Sequence, residues 1–313
     1  MNLTDKIKNL CLKHGFTKAG ISAPELSGQD ISRFEKWLSE GKHAGMQWLE
    51  TQKEKRGNPA LVLPGIKSII SLAYIYDTPF THNENFPKIS RYAWSKTDYH
   101  KYLKDKLKKL CSEIKSETQT EYPDTGLLYY VDDGPIAEKS FAVKSGIGWQ
   151  GKNSLVINPE FGSYFFLCEI LTNIEIEPDK PMEDFCGNCG ICTKACPAGA
   201  LDEEYRLNAG LCISYHNIEN KNEIPEHINL HGWLFGCDIC QDVCPYNKHK
   251  HFTAECGFNP IPELINIPLP AYQSINEAEF NALFSSSPLK RLKYKRFQRN
   301  LNKINTTGIS FNK

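Results

Sequence analysis

The chain has 313 residues, 37 Lys+Arg against 37 Asp+Glu, and is 40% hydrophobic and 24% charged. A net charge of zero gives no whole-molecule pull towards nucleic acid or anionic membrane, so any polyanion contact must come from a local patch. The composition excludes a disordered, collagen-like or membrane-embedded chain, and the length allows a sizeable core in one to three domains.

Met1-Asn-Leu-Thr-Asp-Lys6 becomes charged at once and lacks the apolar core of a signal peptide. The most apolar stretches, around Ile66–Tyr76 and Ser163–Ile174, fall short of the roughly 18 residues a membrane helix needs. A cytoplasmic location with no membrane partner is therefore expected. In a reducing compartment the 12 cysteines point to metal or redox chemistry rather than to disulfides.

Leu3, Ile7 and Leu10 share one face of a first helix. The run Ile66–Tyr76 reads as a strand, and His100–Lys115 as a basic helix burying Leu103, Leu107, Leu110 and Ile114. Gly126–Asp132 reads as a second strand, followed by a helix over Pro135–Lys144 with Pro135 in its first turn. Between them stand two acids. Asp133 suits the N-cap of that helix, leaving Asp132 at the strand end either as a further cap or as a proton donor raised by its neighbour.

Gly146-Ile-Gly-Trp-Gln-Gly-Lys-Asn153 matches G-x-G-x-x-G and nearly matches the Walker A pattern. Both need a strand before and a helix after, so that phosphate meets the helix N-terminus. Here the order is reversed: a helix precedes, with Gly146 as its C-cap, and a strand over Ser154–Ile157 follows. Asn153 also replaces the hydroxyl that would bind Mg²⁺, so nucleotide binding through this loop is rejected. Ser163–Thr172 gives another strand, and the acidic, proline-containing Ile174–Asp184 reads as a linker.

Eight cysteines lie between Cys186 and Cys244; Cys11, Cys111, Cys168 and Cys256 are scattered and read as small apolar residues. Cys186, Cys189, Cys192 and Cys196-Pro follow the C-x2-C-x2-C-x3-C-P run of bacterial ferredoxins. Cys237, Cys240 and Cys244-Pro repeat its last three positions, with Cys212 supplying the first across a gap. The fourth cysteine of each run serves the other cluster, so one [4Fe–4S] cluster is expected on Cys186, Cys189, Cys192 and Cys244. The second is expected on Cys196, Cys212, Cys237 and Cys240. Zinc on four thiolates is the alternative, although zinc motifs rarely carry three cysteines at x2 spacing and two C-P endings.

After four prolines between Pro260 and Pro270 the chain turns into a polar helix and a basic tail. Lys290, Arg291, Lys293, Lys295, Arg296, Arg299 and Lys303 are interleaved there with Tyr294 and Phe297, with no acid. The expected division is an α+β segment 1–178, a two-cluster segment 179–256 and a helical tail 257–313.

Several stretches then converge on one family. They are Arg56-Gly-Asn-Pro59, Arg91-Tyr-Ala-Trp94, Asp98-Tyr-His100, Val131-Asp-Asp-Gly-Pro135 and the Gly146–Asn153 run. Cys212-Ile-Ser-Tyr215, Gly236-Cys-Asp-Ile-Cys240, Ser287-Pro-Leu-Lys-Arg291 and Arg299-Asn300 complete the set. From about residue 40 to 300, in family order, the chain resembles the epoxyqueuosine reductases. The resemblance implies a nitroreductase/reductive-dehalogenase-like cobalamin domain, then a ferredoxin-like module with two [4Fe–4S] clusters and a helical basic tail. It implies reduction of epoxyqueuosine to queuosine at the wobble position of a tRNA with a GUN anticodon. Electrons would pass from an external low-potential donor through the clusters to cob(II)alamin, in a monomeric enzyme.

By motif, Asp132 matches the family's proton donor. Cobalamin contacts are implied at Arg56, Ser95, Asp132, Val156, Leu167, Ser214, Cys237 and Asp238. Lys139 stands where the family often has Arg, which keeps the charge and loses the bidentate fork. Given a tRNA substrate, contacts are expected at Lys221, Lys290, Arg291, Lys293, Lys295, Arg296 and Arg299. A reductive dehalogenase acting on a small organohalide and a ferredoxin-type electron carrier are the rival readings.

Overall fold

The computed structural model describes residues 2–95, 97–248, 251–261 and 265–306, with the side chains of Cys256, Asn305 and Thr306 outside that description; so are residues 307–313 of the expected tail.

Alternating apolar residues build the central sheet. Strands β1 (Lys18–Ser22), β2 (Ser68–Ile75), β4 (Leu127–Tyr130) and β7 (Phe165–Thr172) lie in the order β1-β2-β7-β4, every pair antiparallel. Three of the four fall inside the expected runs. β1 leaves a faint sequence signal, because Lys18-Ala-Gly-Ile-Ser22 offers one large apolar residue. Between β1 and β2 run α2 (Gly28–Ser39), α3 (Trp48–Thr51) and α4 (Lys53–Gly57).

Period-two alternation divides β2 and β7 between two cores. Ile70, Leu72 and Tyr74 of β2, with Phe166, Cys168 and Ile170 of β7, face α1 (Leu3–Lys13) and α5 (Tyr99–Thr118), whose Ile7, Leu103, Leu107, Leu110 and Ile114 are fully buried. Asn2 caps α1 and Asp98 caps α5, each accepting a backbone N–H of the first turn. On the opposite face Ile69 and Leu171 pack under Phe141 of α6 (Glu138–Lys144). Ser71 and Glu169, in register with each other, point to that same α6 face.

The helix expected from Pro135 begins three residues later. Its N-cap position is Ala137, with no side-chain cap. Asp133 is spent elsewhere: it accepts the Val131 N–H at 3.1 Å and pairs with Lys104. Its capping role is therefore withdrawn; the carboxylate tightens the turn that ends β4. The stretch after Thr172 is likewise no free linker. Ile174 and Ile176 are buried in the core, and Asp179 accepts the Ile21 N–H at 2.8 Å.

The glycine run closes a hairpin, β5 (Trp149–Gln150) on β6 (Val156–Ile157). Gly146, at φ +68°, ends α6 as expected: the Gly146 N–H reaches the Val143 carbonyl and the Ile147 N–H that of Ala142. A Cβ on Gly148 would sit 2.2 Å from the Ile157 carbonyl oxygen, so that glycine serves strand packing, not phosphate.

A second core joins distant parts of the chain. β3 (Lys88–Ile89) pairs in parallel with β8 (Trp233–Phe235). Trp94, Ile213, Leu230 and Phe235 are buried there with the C-terminal helices α9 (Leu269–Ser274), α10 (Glu277–Leu283) and α11 (Lys293–Thr306). Among the described residues, the short α-helices α7 (Ile191–Ala195) and α8 (Ile239–Asp242) lie between the hairpin and α9, each beside one of the two cysteine runs. Phe297, Leu301 and Ile304 of α11 are fully buried, so the basic tail is an amphipathic helix seated on its own core.

Candidate active site

A cavity of about 430 Å³ lies between the end of β7, the start of α6, the β5–β6 hairpin and the cysteine loops. Its walls are largely apolar, including Phe165, Phe166, Leu155 and Ile213, with charged groups at Asp132, Glu138, Lys139, Glu219 and Arg291.

Asp132 follows β4 in a left-handed conformation, φ +56°, uncommon for a residue with a side chain and enriched at functional sites. Its backbone N–H donates to Glu138 Oε1 at 2.9 Å, and the Tyr99 hydroxyl donates to its Oδ2 at 2.7 Å. Tyr99 is stacked flat on Phe166, with ring centroids 4.2 Å apart, so the donor is rigid. His100 Nε2 stands 4.0 Å from the same carboxylate oxygen, while its Nδ1 pairs with Asp98 at 2.7 Å. The side chain of Asp132 remains 59% exposed, open to the cavity. Asp98-Tyr-His100 is one of the resembling stretches, and the fold gives Tyr99 and His100 their places beside Asp132, which the stretch alone does not specify.

Behind Asp132 sit two further carboxyls that sequence alone did not single out. Burial, then the neighbouring Asp132, pushes the Glu138 carboxyl up to about 8. Glu169 is fully buried, and burial followed by the nearness of Glu138 drives it well above the usual carboxyl range. Lys139 opens onto the cavity, donates to the Ser154 carbonyl at 3.0 Å, and is lowered by burial among protein atoms.

Of the two expected sets, that of Cys196, Cys212, Cys237 and Cys240 borders the cavity. Burial, then Cys212 and Asp238, raise Cys240, with Cys196 and Cys192 contributing; Cys237 is raised chiefly by burial, with Asp238, Cys240 and Cys212 adding to it. In the other set, Cys244 is raised by burial and by Cys186 and Cys192, and Cys192 by burial and by Cys186 and Cys189. Buried thiols that repel one another as anions become thiolates only around a cationic centre.

The hairpin lids both sets. Trp149 Nε1 donates to the Cys186 sulfur at 3.4 Å, and Asn153 Nδ2 donates to the Cys240 carbonyl at 3.4 Å. Lys152, the residue that made the loop look like a phosphate site, instead pairs with Glu204 at 2.7 Å.

Of the residues implied for cobalamin, Asp132, Val156, Leu167, Ser214 and Cys237 border the cavity, and Arg56, Ser95 and Asp238 do not. Arg56 donates to the Ile136 carbonyl at 2.8 Å, and Ser95 to the Thr97 carbonyl at 2.7 Å. Asp238 bonds the Ser90 hydroxyl and accepts the Arg91 N–H at 2.8 Å, and burial raises it to about 7. An apolar-walled cavity with charged and hydroxyl groups among its lining suits a macrocycle with apolar faces and amide-bearing edges.

Of the basic residues expected on tRNA, Lys221, Lys290, Arg291, Lys293 and Lys295 are exposed. Arg291 also borders the cavity, where it pairs with Glu219 at 2.8 Å. Arg299 is half-buried and donates to the carbonyls of His216 and Asn220 at 2.9 and 2.8 Å; Arg296 donates to that of Ile218. Both guanidinium groups are thus engaged in holding the 215–222 turn. Phe297 is core and the Tyr294 hydroxyl donates to the Ile275 carbonyl, so neither aromatic interleaves with the basic face as the linear sequence suggests.

Residues 56–133 match a family model described as epoxyqueuosine reductase QueG, DUF1730, and residues 185–247 match a 4Fe-4S double cluster binding domain. An epoxyqueuosine reductase from Atelocyanobacterium thalassa is 41% identical over 96% of this chain and 98% of its own length. The one from Pseudomonas aeruginosa is 37% identical over 96% of this chain and 84% of its own length. Among solved structures, an epoxyqueuosine reductase with an epoxyqueuosine-modified tRNA-Tyr stem loop superposes with a TM-score of 0.86. It is 32% identical, over 99% of this chain and 81% of that one. A Bacillus subtilis epoxyqueuosine reductase, in which the loop of a catalytic aspartate is swung out of the active site, gives the same score at 32% identity over 99% and 82%. By motif, by near-full-length identity and by fold, this chain belongs to the epoxyqueuosine reductase family.

Proposed function

We propose that this chain reduces epoxyqueuosine in the anticodon of tRNA to queuosine, with two [4Fe–4S] clusters and cobalamin as cofactors. The observation that carries the reading is one cavity bordered on one side by a clamped, solvent-open Asp132 and on another by Cys196, Cys212, Cys237 and Cys240. Cys186, Cys189, Cys192 and Cys244 hold the outer cluster, and the four cavity cysteines hold the inner one. Cobalamin, when bound in the cavity, supplies a low-valent metal able to reduce the epoxide carbon.

The chain's own groups do the rest. Val156, Leu167 and Ser214 line the cofactor face, while Arg56, Ser95 and Asp238 brace the segments behind it. Asp132, oriented by Tyr99 and by the Glu138 contact to its backbone, delivers a proton to the epoxide oxygen as the C–O bond breaks. Overall, two electrons and two protons convert the epoxide to an alkene and one water. Lys221, Lys290, Arg291, Lys293 and Lys295 face the RNA backbone, and the wobble base enters the cavity unstacked. A GUN anticodon, a low-potential donor and a monomer complete the proposal.

The test is anaerobic incubation of the reconstituted protein with cobalamin, a low-potential reductant and tRNA carrying epoxyqueuosine. Mass spectrometry of the nucleosides should find queuosine. Unchanged epoxyqueuosine beside fully loaded cofactors would refute the reading.

A further inference from the structure

Glu169 sits in the middle of β7, on the face covered by α6, and is fully buried. No N–H or O–H donor of the described residues makes a hydrogen bond to either of its carboxyl oxygens. Its polar neighbours are the Ser71 hydroxyl, in register on β2, and the Glu138 carboxyl from the first turn of α6. The Ser71 hydroxyl is too far for a formed hydrogen bond and favours the carboxylate less than burial and Glu138 oppose it, so Glu169 is costly to ionise. Two carboxyls that meet each other can hydrogen-bond only when a proton lies between them. Glu138 is the member that reaches the cavity, and it touches the backbone of Asp132. The net reaction consumes two protons, and Asp132 carries one at a time.

We propose that Glu138 and Glu169 form a proton-sharing carboxyl pair that reloads Asp132, so that the second proton of each turnover enters the cavity from beneath the sheet. The inference rests on the proposed reduction for its second half only. In that half, Asp132 protonates the oxygen as the C–O bond breaks and is left as a carboxylate. The pair then returns a proton to Asp132 through a cavity water, and Asp132 passes it to the departing hydroxide, giving water. The pair recovers its own proton from solvent between turnovers, and no oxidant or further reductant is needed. Glu138 acts on Asp132, and Glu169 acts through Glu138 as a positioning residue that holds the shared proton.

The charged and titratable groups facing the pair are consistent with this role. Asp132 and Asp133 at the end of β4 push Glu138 towards its neutral form, and Arg56 from α4 opposes them. Lys139 on α6 and the Cys168 thiol on β7 also feel the pair. The pair titrates as a unit, so neither residue has a private proton.

The experiment uses the full chain and two isosteric variants, Glu169→Gln and Glu138→Gln, with cluster absorbance as the check on folding. First, infrared difference spectra without substrate compare wild type with Glu169→Gln at pH 7. A protonated-carboxyl carbonyl band present in wild type and missing from the variant is expected; no such difference overturns the pair. Second, turnover of epoxyqueuosine tRNA is followed against pH. Glu138→Gln should lower kcat about tenfold to a hundredfold, remove the alkaline decline and leave KM unchanged. Wild-type kcat and pH profile in that variant would overturn the relay. Should wild type itself fail to turn over this tRNA, the proposed function falls, while the infrared band still decides the pair.

Discussion

Asp132 shows how a single position can be both legible and underdetermined. V-D-D-G-P marks it as a functional carboxylate at a strand end, but its positive φ and its clamp from Tyr99 and Glu138 come from residues scattered over 40 positions. Replacing Asp132 with Asn keeps the shape and removes the transferable proton. Turnover should fall about 10²- to 10⁴-fold, with iron, sulfide and cobalamin content unchanged; measuring all four on one preparation separates catalysis from assembly. Trp149 offers a second test. Its indole N–H donates to the Cys186 sulfur, and on the outer cluster proposed there it would stabilise the more negative, reduced state. A hydrogen bond of about 1 kcal/mol corresponds to about 40 mV for one electron. Trp149→Phe should therefore make the outer cluster harder to reduce by roughly that amount, read by potentiometric titration.

Elements rather than residues decide what the basic run does. In the linear sequence seven cations between Lys290 and Lys303 look alike, yet the turn Pro288–Leu292 and the helix α11 that follows it sort them. Lys290, Lys293 and Lys295 are left on the surface, while Arg296 and Arg299 are turned onto the carbonyls of the 215–222 turn. Charge alone carries no such information, because the carbonyls that capture the two arginines lie some 80 positions away. Arg299→Ala should destabilise the fold by about 2–4 kcal/mol, losing charged hydrogen bonds to carbonyls that stay half-buried. Phe297→Ala should cost about 3–5 kcal/mol; both are read by denaturant titration. Lys295→Ala should leave stability within about 0.5 kcal/mol and reduce the salt dependence of tRNA binding by about one phosphate contact. The glycine hairpin gives the same lesson in reverse. Element order in the sequence was enough to reject phosphate, but its contact with the Cys186 sulfur appears only once the clusters' loops are folded against it.

At the scale of the whole molecule, stability should depend on pH through buried acids. Glu138, at about 8, and Asp238, at about 7, are both raised above the values of an unfolded chain. Between roughly pH 4.5 and pH 8 the unfolded state has released protons that the native state retains. Stability is therefore greatest at the low end of that window, falls as pH rises through it and goes on falling above it, because Glu169 is held higher still. Glu138→Gln should flatten the upper part of this decline in thermal melts. Cysteine spacing, the apolar runs and the motif set make the family and three of the four strands of the central sheet readable from the sequence. What lay beyond reach was the lateral assembly: β1, the β3–β8 pair and the Glu138–Glu169 contact join positions whose partners no local pattern names.

The β3–β8 pairing and the core shared by Trp94, Phe235 and the C-terminal helices have a practical consequence. A fragment cut after residue 178 would leave β8 without its neighbour and Phe235 facing water. The segment that carries the clustered cysteines is thus not a detachable module: the core around β8 closes only against a strand and a tryptophan lent by the first part of the chain.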